Sequence, residues 1–179
     1  VDSETGRTVK GITGFKLKNT KTGEESETYY TDENGFLTLP SEITYGNYEL
    51  TEVIPPNGYV LNTTPVSFGI DGNTPEVVIR LSDKPEKGKI SVLKKGEMFS
   101  SVEVSEDRYV PVYSEQGLKG AEFEVTAAED IYTADGTLRI SKGALADTLV
   151  TDESGEAESK ELYPGKYFLR EISAPDGYI

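Results

Sequence analysis

The sequence predicts an all-β chain folded as two tandem Ig-like β-sandwich domains, and three observations carry that expectation. One frame, G-x-Y-x-L-x-E-x-x-x-P-x-G-Y, is written twice, over residues 46–59 and again over residues 165–178. Short runs alternate apolar and polar residues, and Gly, Asn, Asp and Pro clusters punctuate them. No segment carries a sustained helical period. Frequent short strands without helices bury their apolar faces most readily as sheet on sheet.

The repeated frame has a consequence for its glutamate. Along a strand, residues i, i+2 and i+4 share a face. Tyr48, Leu50 and Glu52 therefore point together, as do Tyr167, Leu169 and Glu171. Each glutamate lies on the face its neighbours bury. A buried, unpaired carboxylate is costly as an anion, so its pKa rises. Two readings stay open: an acid at the rim of the core, satisfied by a backbone or basic group, or a proton-handling group inside an apolar interior.

Taken in order, residues 15–18 alternate as a strand and 19–23 form a turn. A short strand at 27–31 leads into the turn Thr31-Asp32-Glu33-Asn34-Gly35 and a strand at 36–39. Residues 40–45 connect, with one turn of helix, to the first copy of the frame. Strands at 65–70 and 76–82 follow, separated by a turn at 71–73. In the latter strand Val77, Ile79, Leu81 and Asp83 share a face, so Asp83 continues an apolar row as Glu52 does; the alternative is a strand-end aspartate in water. Residues 84–88, with Pro85 and Gly88, make a short, semi-rigid linker.

The second half repeats the order. A strand at 89–94 opens it, a hairpin at 102–113 is inserted, and 117–125 parallels 9–17. Residues 127–131 are expected to form a helical turn, and Asp135-Gly136 a hairpin turn. Thr151-Asp152-Glu153-Ser154-Gly155 repeats 31–35, and the second copy of the frame closes the chain. The expected domains are thus 1–84, without a counterpart of the strand at 89–94, and 85–179, without counterparts of 60–83. The chain reads as a window on a longer array.

Composition narrows the function. Eighteen basic against 32 acidic residues give a net charge of −14, which argues against nucleic acid and anionic membranes as partners. No apolar stretch reaches the roughly 18 residues of a membrane helix. Cys and His are absent, which removes the usual zinc, copper and iron sites and any thiol or imidazole nucleophile; no cofactor and no metal are expected. The two T-D-E-x-G segments lack the remainder of a calcium loop and read as turns. Asn62-Thr63-Thr64 fits a glycosylation sequon, and 153–161 reads as a solvated acidic face. Tyr29, Tyr30, Tyr109 and Tyr113 suit strand packing better than a binding surface. Paired-carboxylate hydrolysis needs two acids flanking one bond, whereas Glu52 and Glu171 sit in separate repeats, so no enzyme is expected.

The turn at 2–6, the segment 11–17, the T-D-E-N-G turn and the glutamate frame together resemble the Cna B-type, or SpaA-type pilin, domains of Gram-positive surface proteins, in two copies covering nearly the whole chain. The resemblance implies a prealbumin-like sandwich. It also implies a structural stalk of an extracellular adhesin or pilin, anchored to the cell wall through regions outside residues 1–179. Its partners would be neighbouring domains or pilus subunits. The alternative it implies is a ligand-binding adhesin domain for a host matrix protein or glycan. In that family a lysine of the first strand joins an Asn or Asp of the last strand through an isopeptide bond, with the motif glutamate moving protons. The resemblance gives Glu52 and Glu171 the proton-handling role and Asp83 the acceptor role. The lysine for Asp83 is expected before Val1. In the second half Ser91 holds the family's lysine position, which leaves Lys89 and Lys94 as candidates, with the acceptor expected beyond Ile179.

Overall fold

The structure is a computed structural model that describes residues 1–41, 43–73 and 76–178. Its elements are all strands: β1 (Gly14–Asn19), β2 (Tyr29–Tyr30), β3 (Gly46–Ile54), β4 (Tyr59–Val60), β5 (Val66–Ile70), β6 (Lys84–Pro85), β7 (Ser91–Leu93), β8 (Lys95–Ser105), β9 (Arg108–Gly117), β10 (Glu122–Ala127), β11 (Ile131–Tyr132), β12 (Leu138–Ile140), β13 (Leu145–Val150), β14 (Glu156–Glu158) and β15 (Tyr167–Ser173). The fold is all-β, as the alternation requires. Two compact units form: Val1–Glu86 with Tyr132–Arg139, and Lys87–Ile131 with Ile140–Ile179.

In the first unit one sheet runs in the order β2-β1-β3-β5, antiparallel throughout. Alternation decides which residues it buries. Phe15 and Leu17 of β1 and Tyr48 and Leu50 of β3 form the core, while Lys16 and Glu49 between them do not. Leu37, Leu39, Ile43 and Leu81 cover that face from the second layer. The strands expected at 36–39 and 76–82 do not form ladders; their alternate apolar residues still turn inward, but a strand needs a paired neighbour for its N–H and C=O groups. Only Asp83 bridges, in parallel, to Asp2. The helical turn expected across 40–45 includes Glu42, which lies outside the described residues.

The second unit is a clearer sandwich. The sheet β13-β10-β15 supplies Phe123, Val125, Ala146 and Leu149. The β7–β14 pair lies over them through Val92 and Ala157, with Ile90 and Leu162 alongside. The helical turn expected at 127–131 does not form: the inward row Phe123, Val125, Ala127 keeps period two to the end of β10, a bend follows, and Ile131 opens β11. The inserted hairpin is longer than the expected 102–113: β8 and β9 pair from Lys95↔Gly117 to Ser105↔Arg108.

The repeats share detail as well as order. Tyr48 donates to the carbonyl of Thr44 and Tyr167 to that of Tyr163, each at 2.8 Å and each four residues back. Thr31 Oγ1 donates to Gly11 O at 2.9 Å, and Thr151 Oγ1 to Leu118 O at 2.6 Å. Asp32 Oδ1 accepts from the N–H groups of Asn34 and Phe36, and Asp152 Oδ1 from those of Ser154 and Glu156. The glycine ending each turn has a positive φ, and a Cβ there would come within 2.0 Å of Val9 O at Gly35 and 2.3 Å of Lys94 O at Gly155. Only glycine fits such a conformation pressed against backbone.

The segment Tyr132–Arg139 completes the first unit through a buried polar network. Arg139 Nη2 donates to Asp2 Oδ2 at 2.6 Å, Nη1 to Glu4 Oε2 at 2.9 Å and Nε to Thr133 Oγ1 at 2.9 Å. Tyr59 OH gives Asp2 Oδ2 a further hydrogen bond of 2.8 Å. Asp2 is fully buried, yet burial does not win: the bonds from Tyr59 and from the N–H groups of Glu4 and Thr5, with the charge of Arg139, hold its carboxyl below its usual pKa. Thr5, Thr133 and Thr137 hydroxyls do the same for Asp135 against its burial. Removing one partner of a buried pair leaves the other charge uncompensated. Arg139→Ala should therefore cost the first unit about 3–5 kcal/mol, read as a lower midpoint in urea, whereas Arg170→Ala, which removes an exposed partner of Glu124, should cost the second unit less than about 1 kcal/mol.

Candidate functional site

The site begins with the pairing of β1 and β3. Phe15 stands opposite Glu52, Leu17 opposite Leu50 and Asn19 opposite Tyr48. In the second unit Phe123 stands opposite Glu171, Val125 opposite Leu169 and Ala127 opposite Tyr167. Both ladders slip by one residue just past the glutamate, at Val53 and Ile172. Such bulges re-aim the side chain beside them. The same acid thus faces the same phenylalanine at the same irregularity in both units.

In the first unit Glu52 is 1% exposed and Asp83 5% exposed. Glu52 Oε1 accepts from the N–H of Asn62 at 3.1 Å. Glu52 Oε2 and Asp83 Oδ1 are buried and receive no N–H or O–H donor of another residue. Two such oxygens, each without another donor, are satisfied when a proton is held between them. Burial first, then the nearby Asp83, pushes the Glu52 carboxyl up to about 7, against the pull of the Asn62 N–H. Burial raises Asp83 as well, offset by its bond to Glu52 and by the Val1 α-ammonium.

Val1 to Ser3 run alongside Asp83. Asp83 N donates to Val1 O and Ser3 N to Asp83 O, both at 2.9 Å, and Val1 N donates to Leu81 O. A groove of about 810 Å³, mixed in polarity, is lined by Phe15, Leu37, Leu39, Leu50, Arg80, Val1 and Asp83 among others.

The second unit assembles different parts. Lys94 Nζ lies 2.8 Å from Glu171 Oε2, with the two side chains 29% and 32% exposed. Lys89 pairs instead with Glu158 on the surface. Glu171 is therefore not sealed in as Glu52 is. β15 is the edge strand of its sheet, whereas β3 is covered on that side by β5, and Leu169 is 44% exposed where Leu50 is buried. Sequence reading overlooked Asn62, whose N–H holds Glu52 while its side chain donates to Ser82 O at 3.1 Å. Nothing in its spacing marks that role. It also overlooked Asp2, Tyr59 and Arg139, which meet only through the fold.

No cluster of acids among the described residues offers a metal cage. What the sites define is a class: sandwich repeats carrying one acid at a fixed place on a fixed strand, opposite a phenylalanine. The chain belongs to the SpaA family of prealbumin-like fold domains, whose model matches residues 1–85 and 111–179. Among solved structures it is similar to the Bacillus anthracis TIE protein, at 27% identity and a TM-score of 0.57; the alignment covers 97% of this chain and 27% of that one. It is also similar to a Streptococcal ancillary pilin, with 24% identity, a TM-score of 0.40 and coverage of 100% and 53%. The major pilin subunit of Bacillus cereus, BcpA, aligns at 14% identity and a TM-score of 0.39 over 96% of this chain and 85% of that one. The chain thus spans little more than a quarter of the TIE protein and about half of the ancillary pilin. No curated protein sequence matches it.

The raised Glu52 makes stability depend on pH. The folded state keeps a proton that the unfolded chain releases near 4.5, so the folded state binds more protons between about pH 4.5 and 7. Stability is then fully present below that window and is lost as pH rises through it. Glu52→Gln keeps the shape and hydrogen bonding but cannot ionise. The melting temperature of the wild type should fall between pH 5 and pH 8 by about 5 °C or more relative to that of Glu52→Gln, and the two curves should meet on the acid side. Parallel melting curves would show Glu52 to be ordinary.

Proposed function

We propose that residues 1–179 form a structural stalk segment of an extracellular pilin or adhesin, whose chemistry is self-crosslinking rather than turnover of a substrate. The family and the sandwich fold support a structural rather than catalytic role. The single observation that carries the crosslink is the buried Glu52–Asp83 pair with its two oxygens lacking any other donor. That arrangement is costly as it stands and well placed for one reaction.

In the proposed reaction a lysine amine attacks the Asp83 carboxyl carbon. Burial keeps the amine neutral and nucleophilic. The protonated Glu52 carboxyl gives its proton to the Asp83 carboxyl and polarises it for attack; as a carboxylate it then takes up the proton lost by the amine and returns it to the departing hydroxyl. The C–O bond breaks, an amide C–N bond forms and one water leaves. The pairing of Val1 to Ser3 with Asp83 favours a lysine just before Val1: it lies two residues before Asp2 and shares its face. The groove that Val1 and Asp83 help to line leaves open space for the strand that would carry it. In the second unit Lys94, held at Glu171, takes the nucleophile's place, and Lys89, occupied by Glu158, does not. Its acceptor, and the anchor to the cell wall, would come from other parts of the protein. Neighbouring domains or pilus subunits would be its partners.

Copying residues 89–94 in front of Val1 supplies both the apolar strand and the lysine. The intact mass of that chain should be lower than calculated by one water. Glu52→Ala and Asp83→Ala should each restore the calculated mass. A full mass with Glu52 and Asp83 intact would end the crosslink reading.

A further inference from the structure

The β8–β9 ribbon is the part of the second unit that its own core does not use. None of its residues belongs to the buried cluster of that unit. The family match resumes only at residue 111, so all of β8 and the tip lie outside it. A ribbon kept on such a fold and left out of its core has another use to be found.

Register and alternation sort its side chains. Phe99 faces Tyr113, Val102 faces Pro111 and Val104 faces Tyr109, and along β9 the residues Tyr109, Pro111 and Tyr113 share one side. The edge-on contact of the Phe99 and Tyr113 rings, 6.3 Å between centroids, places the bulged strand on that same side. This strip is in water: Phe99 is 59%, Val102 49%, Val104 68%, Tyr109 81% and Tyr113 56% exposed. Isolated exposed apolar residues are ordinary, but a contiguous strip on one face marks an interaction surface.

The charges around the strip choose the occupant. Glu97 and Glu115 close it at the base and Glu106 and Asp107 at the tip, where the two-residue turn takes positive φ. The ribbon's two cations are Lys95, paired with Glu115 at 3.2 Å, and Arg108. An apolar centre with acids at both ends fits a partner with an apolar centre and cations at both ends. A second copy brings the same acids and a net charge of −14, so like charges would meet. The β8 bulge and Pro111 in β9 blunt the two strand edges, which favours docking on the face over strand addition. From Phe99 to Val104 the strip is roughly 17 Å long, the length of a short extended segment.

We infer that this face binds an extended segment of a partner protein whose alternating apolar side chains are flanked at both ends by lysine or arginine. The test uses the whole chain and two probes: a short peptide of alternating valine and threonine with lysines at both ends, and its counterpart with glutamates there. Calorimetric titration should show binding of the lysine-flanked peptide only, weakened as salt is added. Val104→Ser with Tyr109→Ser, both far out in solvent, should leave the melting temperature unchanged and weaken binding by roughly tenfold or more. Equal binding of the two peptides, no binding of the lysine-flanked one, or unchanged affinity in the double variant overturns the inference. So does a concentration-dependent dimer abolished by the double variant, which would make a second copy the occupant, or capture of a neutral glycan in place of the peptide.

Discussion

Two carboxyl groups pressed together inside an apolar sandwich set the terms for the first unit. Glu52 lies in β3 and Asp83 about thirty residues further on, just before β6, and each is almost fully buried. Neither sits there by accident of composition. Glu52 is fixed by the alternation of β3, by the Phe15 opposite and by the bulge at Val53; Asp83 is fixed by backbone bonds to Val1 and Ser3. The scaffold forces the meeting and only a shared proton makes it tolerable. The tyrosine anchored four residues back, the turn threonine tied to a loop carbonyl and the glycine seated against backbone all hold that strand in place.

The second unit repeats this scaffold without repeating the pair. Register, bulge, tyrosine bond and turn are matched residue for residue, yet Glu171 is a third exposed and meets an amine. The difference lies in what covers the strand, not in the strand. Conserving geometry while changing the neighbour moves the same acid from a proton-sharing pair to an ordinary half-buried ion pair, worth little in water. An acid's chemistry here is a property of its surroundings.

This explains which parts could be read from the sequence. The period-two rows announced β1, β3, β10 and β15, and the inward turn of Glu52, because a strand's parity is local. The exposure of Glu171 was not local: it depends on whether another strand lies outside β15. The failure of 76–82 to form a ladder has the same origin, since apolar alternation says which way residues face but not whether a partner strand is present. The network of Asp2, Tyr59 and Arg139 joins positions up to 137 residues apart, and no spacing rule connects them. Lys89, on the face of Ser91, and Lys94, on the face of Ile90 and Val92, were both candidates in sequence, and only the fold sets Lys94 beside Glu171 and Lys89 beside Glu158. The ribbon was visible as an alternating hairpin, but its full length and its unused aromatic face were not.

The energetics of the acid pair also bear on why a reactive arrangement would persist in a stable fold. Each buried carboxyl has lost its water, and the proximity of Asp83 adds to the cost of ionising Glu52. Mutation of either to an apolar residue would remove that cost, so the pair is poor as a stabilising device. Turning Asp83 into an amide would remove it too: the acceptor loses its charge, the neighbouring acid is no longer opposed, and the lysine's ammonium need not be buried. The reaction proposed for this site thus runs from a strained pair of acids to a neutral link and a single carboxyl. Residues 1–179 hold no cysteine, so the covalent tie proposed for this site is an amide rather than a disulfide.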